Sequence, residues 1–191
     1  MSKILAFSGS ARKDSYNQKL VKIAAAGAEK AGADVTLINL ADFPMPIFNQ
    51  DLESATGMPD EAREFKRMLI DHDGFLIASP EYNSAFSPLL KNAIDWASRR
   101  EGDETPLLAY KGKVAAIMSA SPGALGGLRG LMFLRVVLSN IGVTVLASQH
   151  AVPGAALAFT AQGLLLDAQM QDNISSLGAE LSVTLGKLKT L

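Results

Sequence analysis

Short apolar runs alternate with stretches of helical spacing along the whole chain. Residues 3–8, KILAFS, form an apolar, β-like run. Residues 17–31 then place Leu20, Ile23, Ala24, Gly27, Ala28 and Ala31 at steps of three and four, which is one face of a helix. A second strand is expected over ADVTLINL (33–40), followed by a long loop over 41–59 that contains Pro44, Pro46, Gly57 and Pro59. DEAREFKRMLIDHD (60–73) reads as a charged amphipathic helix. GFLIAS (74–79) is a third strand, nearly all apolar, as a strand covered on both faces should be. Ser87-Pro88 opens the next helix, with serine at the cap and proline in the first turn, and that helix should bury Leu90, Ala93, Ile94 and Ala97. KVAAIMS (113–119) is the fourth strand, 128–141 a helix, and VTVLAS (143–148) the fifth strand. The last helix, within 164–189, aligns Ile174, Leu177, Leu181, Leu185 and Leu188.

Five strands alternating with five helices predict a parallel, doubly wound α/β sheet with helices on both faces. The first and third strands, short and almost uniformly apolar, belong in its interior. There is no internal repeat, low-complexity tract or linker, and 191 residues fit one domain over 1–191. In an open parallel sheet, ligands bind beyond the carboxyl ends of the strands, where the strand order reverses. In the flavodoxin-like order 2-1-3-4-5, strands one, three and four are neighbours. The three unusual loops follow those same strands: GSARKDSYN (9–17), SPEYNSAFSP (79–88) and SASPGALGGLRG (119–130). One crevice can therefore be lined by all three.

Composition narrows the chemistry. Hydrophobic residues make up 48% of the chain, enough for a sizeable core. A formal net charge of −1 implies no general attraction to nucleic acid or to an acidic membrane. The absence of cysteine excludes disulfides, thiolate metal sites and a cysteine nucleophile. Two isolated histidines, His72 and His150, lie outside the motif loops, so no metal site is expected and surface or supporting roles suit them. Residues 136–166 carry no Asp, Glu, Lys or Arg, but Ser139, Asn140, Gly142, Gln149, His150, Pro153 and Gly154 interrupt the roughly 20 apolar residues that a spanning helix needs. With no secretory signal at the start, the cytoplasm is the expected location.

The first loop has one glycine, with hydroxyls and an arginine where phosphate loops usually carry glycines. The start of a helix presents unpaired N–H groups and a partial positive charge. Ser10, Ser15 and Asn17 add side-chain donors, and Arg12 adds a fork able to bind phosphate through two hydrogen bonds. Such a loop suits a terminal monophosphate better than a pyrophosphate lying across a backbone. A serine-capped helix start with a solvated arginine reads equally well from these residues alone. G-x-x-x-x-G-K-[ST] and a G-x-G-x-x-G after the first strand are both missing, which argues against a P-loop nucleotidase and a dinucleotide fold. In the second loop, Tyr82 and Phe86 offer a wall for a planar ring, and Asn83 offers donors and acceptors to a ring edge. Glu81 reads best as a carboxylate structuring its loop or meeting another subunit. Gly123, Gly126, Gly127 and Gly130 let the third loop approach a ligand closely, while Arg129 faces either a phosphate or solvent.

Taken together, these residues resemble the NADPH-dependent FMN reductases. GSARKDSYN fits G-S-x-R-x-x-S-x-N, SPEYNSAFSPLLKNAIDW is similar to the flavin-contacting loop and following helix of that family, and SASPGALGGLRG is similar to its third flavin loop. The likeness runs nearly end to end and includes FPMPIFNQDLE (43–53). It implies FMN as the bound cofactor. Ser10, Arg12, Ser15 and Asn17 would meet its phosphate; Pro80, Glu81, Tyr82 and Asn83 would lie along the isoalloxazine. Ser119, Ser121, Gly123 and Gly126 would approach from the other side.

The resemblance also implies NAD(P)H as reductant, hydride transfer to flavin N5, and then electrons to a quinone, azo compound, free flavin or metal oxyanion. The cofactor carries that chemistry, so no protein acid or base is expected. A homodimer or homotetramer is implied, with the helix over 88–99 at the interface. HAVPGAALAF (150–159) matches no motif of the family, and its uncharged character suggests cover by another subunit. The competing reading is a flavodoxin-type electron carrier. Such carriers are usually strongly acidic, which a net charge of −1 does not match. A nucleotide-binding module without turnover is a third class.

Overall fold

The computed structural model describes residues 1–190. Strand β1 (Lys3–Ser8) leads into α1 (Tyr16–Lys30) and β2 (Asp34–Asn39). After a 3-10 turn at Leu40–Asp42 come α2 (Gln50–Thr56), α3 (Asp60–Asp71) and β3 (Gly74–Ala78). A small hairpin, β4 (Glu81–Tyr82) and β5 (Ala85–Phe86), precedes α4 (Pro88–Ala97). β6 (Val114–Ala120), α5 (Leu128–Asn140), β7 (Thr144–Val152), α6 (Ala155–Ala158) and α7 (Ala168–Leu188) complete the chain.

The sheet is parallel, with order β2-β1-β3-β6-β7. Counting only its five strands, this is the expected 2-1-3-4-5. Alternate residues of each strand serve opposite layers, as the two-residue period requires. Ile4 and Ala6 pack under α1 and α7, while Leu5 and Phe7 pack under α3, α4 and α5. β3 and β6 are buried along their whole length, which explains why β3 is apolar throughout and β6 is apolar but for Ser119. α1 and α7 cross closely: a Cβ on Gly27 would overlap the Ser175 carbonyl, and one on Gly178 would overlap that of Ala24. Of the apolar face expected on the last helix, Ile174, Leu177, Leu181 and Leu185 are buried, but Leu188 is half exposed at the final turn.

Three local expectations are corrected. The long loop over 41–59 contains α2, capped by Asn49, whose side chain accepts from Asp51 N–H at 2.8 Å. The flanking prolines and Gly57 bound this helix rather than exclude it. β7 extends to Val152, four residues beyond the expected end at 148, after a bulge opposite Ala115 and Ile117. There the Arg135 guanidinium donates to the carbonyls of Val145 (3.2 Å) and Leu146 (2.8 Å) and to Gln149 Oε1, supplying partners for carbonyls displaced from the ladder. The 150–159 segment is therefore a strand end and a short helix. Val152 and Ala155 are buried within this chain, whereas Leu157 is almost fully exposed.

His72, placed by sequence at the surface or in support, is buried at the end of α3, with Nδ1 2.6 Å from the Met68 carbonyl and Nε2 2.9 Å from Thr36 Oγ1. No helix among the described residues is long and apolar enough to cross a membrane.

Candidate functional site

The carboxyl ends of β1, β3 and β6 lie side by side, and the loops that follow them enclose one small cavity of roughly 60 Å³. Ser10, Arg12, Ser15, Tyr16 and Asn17 line it from the first loop; Pro80, Glu81 and Tyr82 from the second; Ala120, Ser121 and Pro122 from the third. This volume suits a phosphate-sized anion. It is well below the roughly 300–1,000 Å³ of a pocket that swallows a whole organic ligand. A ring attached to such an anion would rest on the rim beside half-exposed Tyr82.

The first loop is held by its backbone, not by glycines. Gly9 N–H donates to the Ala78 carbonyl at 2.9 Å, and the Gly9 carbonyl accepts from Ser87 Oγ at 2.5 Å. Ser87 also caps α4 by accepting from Leu90 N–H, so one hydroxyl ties the first loop to the second. The Ser10 carbonyl accepts from Gln18 Nε2 at 2.9 Å. Ser15 caps α1 by accepting from Gln18 N–H at 3.2 Å, which leaves its own proton free to donate. The first-turn amides of Tyr16 and Asn17 have no intrahelical acceptor and open the helix toward the cavity. Arg12 is exposed, forms no ion pair among the described residues, and rests its guanidinium 5.9 Å from the centre of the Tyr16 ring.

Asn17 differs from a simple ligand donor. It is buried, and its side-chain amide is paired in both directions with the Ala120 backbone, at 2.9 Å each way. It joins the first loop to the third.

The second loop folds as the β4–β5 hairpin with Asn83 and Ser84 at its tip, both at positive φ (51° and 70°). That is the pattern of a two-residue type I′ turn, in which asparagine is favoured. Asn83 therefore stands exposed at the tip and does not line the cavity. Phe86 is turned into the core under α4 and α5, so Tyr82 is the one aromatic that the second loop gives to the cavity. Glu81 accepts from Arg129 Nη2 at 2.6 Å, from Arg129 Nε at 2.9 Å and from Gly130 N–H at 3.1 Å. Its carboxylate structures the loop within one chain, and Arg129 is its partner. Burial pushes the Glu81 carboxyl up, but the Gly130 N–H and Arg129 outweigh it and hold it below the usual carboxylate range.

In the third loop, Ser121 reaches the cavity, and Gly123 donates its N–H to Ser121 Oγ at 3.3 Å. Gly126 has φ 61° and packs on backbone, where a Cβ would lie 2.6 Å from the Val152 carbonyl carbon. Ser119 is fully buried beneath Gly127, with no hydrogen-bond partner for its hydroxyl among the described residues. Neither Ser119, Gly123 nor Gly126 lines the cavity. Sequence reasoning missed Tyr16, Ala120 and Pro122 as lining residues, although all three stand inside the quoted motifs.

Residues 2–156 match the family model of NADPH-dependent FMN reductases. The chain belongs to this family. It is an oxidoreductase that uses FMN and NAD(P)H. It is 36% identical over 173 residues to an NAD(P)H-dependent FMN reductase of Pseudomonas aeruginosa, covering 90% of this chain and 89% of that one. A 2-hydroxy-1,4-benzoquinone reductase of Burkholderia sp is 39% identical over 145 residues, 72% of this chain and 74% of the relative. Among solved structures, a flavoenzyme NAD(P)H:(acceptor) oxidoreductase from Paracoccus denitrificans superposes with a TM-score of 0.81 at 29% identity, over 98% of both chains.

The residues of this reductase fit FMN. An arginine without an acid partner, a serine with a free proton and an open helix start all face a cavity of phosphate size.

Proposed function

We propose that this reductase delivers electrons from NAD(P)H to small acceptors of the quinone class, with azo compounds, free flavin and metal oxyanions as further candidates. The convergence of three loops on one phosphate-sized cavity with an aromatic rim carries the reading. Quinone reductases among the relatives support the acceptor class.

In this proposal Ser10, Arg12, Ser15 and the first amides of α1 hold the FMN phosphate, and Asn17 fixes the distance between the first and third loops. Pro80 and Tyr82 border the ring, Ser121 supports it from the opposite loop, and Glu81 sets the angle of the hairpin through Arg129. Bound FMN supplies the hydride acceptor and the one- or two-electron donor chemistry. The residues around the cavity would hold the FMN phosphate and orient the reactants. No side chain lining the cavity has the arrangement of a general acid or base: Glu81, its only carboxylate, is committed to Arg129 and Gly130.

A homo-oligomer is part of the reading. The outer face of α5 exposes Leu128, Met132, Phe133 and Val136, with Leu125 just before it. These positions follow helical spacing and form an apolar patch beside the Arg129 end of the site. The outer face of α4 carries the Lys91–Asp95 ion pair instead, so α5 offers the better self-association surface. A cytoplasmic setting agrees with dependence on NAD(P)H. A steady-state screen of acceptors with NADH and NADPH tests the function; quinone turnover indistinguishable from a flavin-only control would refute it.

A further inference from the structure

A second, half-open cavity, of roughly 420 Å³, lies along α1 on the side away from the sheet, bordered by the 161–164 segment and by Gln171 and Ser175 of α7. Lys19, Lys22 and Lys30 line it, and no Asp or Glu does. None of the three lysines forms an ion pair among the described residues. Three unpaired cations bordering one cavity contrast with a chain whose net charge is −1. They stand on one stripe of the helix, spread over about 16 Å at 1.5 Å per residue. Ile23 and Leu164 supply an apolar floor and Gln162 an amide. Cations, an apolar surface and an amide together describe a receptor for an anionic group on an organic body, and the volume is that of a small-molecule site.

The cavity adjoins the flavin site without merging with it. Lys19 Nζ lies 5.7 Å over the Phe159 ring, Phe159 stacks on Tyr16 at 5.9 Å, and Tyr16 lines the flavin cavity. This aromatic pair is the partition. Lys22 also borders a neighbouring cavity that contains Asp42, but no ion pair joins them.

We propose that this cavity binds a phosphorylated small molecule of about nucleotide size, separately from FMN. A free nucleotide and the adenosine end of NADPH share that chemistry. The site goes beyond the proposed acceptor reading, and its occupancy is measurable without turnover.

The probe is adenosine 2′,5′-bisphosphate, titrated calorimetrically into FMN-loaded protein. Saturable binding at one site per chain is expected, weakened by added salt and weakened roughly tenfold or more in Lys22→Gln/Lys30→Gln. Both lysines are exposed and outside the flavin cavity, so FMN content should not change. A raised KM for NADPH but not for NADH in that variant identifies the reductant as the occupant; unchanged KM for both identifies a free nucleotide. Absent binding, binding unaffected by the double substitution, or release of FMN by the bisphosphate would overturn the proposal. Equal affinity for inorganic pyrophosphate would contradict a site built for an organic body.

Discussion

Asn17 and Ala120 are 103 positions apart, yet the Asn17 side-chain amide donates to the Ala120 carbonyl and accepts from the Ala120 N–H, at 2.9 Å in both directions. A side chain at the start of α1 thus completes the hydrogen bonding at the end of β6. Asn17→Ala leaves two buried backbone groups without partners, each costing about 1–3 kcal/mol. The expected outcome is a loss of about 2–4 kcal/mol in urea unfolding of the apoprotein, together with weaker FMN retention. A variant of unchanged stability would show that the pairing contributes nothing.

Arg12 is the one guanidinium lining the cavity that the three loops enclose, and it has no acid partner among the described residues. Arg12→Ala should weaken FMN binding by about 1.5–3 kcal/mol, the usual range for a charge-assisted hydrogen bond, with little change in apoprotein stability. Fluorescence titration of FMN onto apoprotein measures this. Unchanged affinity would leave the guanidinium in solvent.

The Glu81 contacts predict an acid dependence. The folded carboxyl is held below its ordinary range, so the stabilisation it brings is fully present above the unfolded glutamate value of about 4.3. It disappears as pH falls from there through the depressed folded value. Subtracting the unfolding free energy of Glu81→Gln from that of the parent should give a difference that is flat above about pH 5 and falls below about pH 4. A difference independent of pH would mean that Glu81 is not ion-paired in solution.

At the hairpin tip, Ser84 holds φ 70°, a region that glycine adopts without strain. Ser84→Gly creates the Asn-Gly pair preferred in a type I′ turn and should stabilise the protein by a few tenths to about 1 kcal/mol in thermal unfolding. Destabilisation would indicate that the Ser84 side chain makes a contact that holds the loop.

The sheet order and the layer arrangement were legible because they rest on local patterns. β3 is uniformly apolar because it is buried on both faces, and Ser87-Pro88 caps α4 as its residue types require. The convergence of the three loops followed from the sheet order alone. The partners that shape the site were not legible. Glu81 reaches Arg129 across 48 positions, and no spacing within either loop reveals it. Phe86 and Tyr82 belong to one hairpin, but its turn sends one ring into the core and the other to the rim. α2 is masked in the sequence because Pro44, Pro46, Gly57 and Pro59 outweigh the seven residues between the cap at Asn49 and Gly57. β7 reads as ending at Ser148 because Gln149 and His150 are polar, and the Arg135 side chain that serves the bulge lies a helix away.

Anaerobic stopped-flow mixing of FMN-loaded protein with NADPH or NADH, followed by a quinone, tests the central claim most directly. The loops around the cavity are expected to present FMN so that flavin absorbance bleaches without any partner protein and returns when the quinone is added. Flavin that stays bound and oxidised with both nicotinamides would contradict the account.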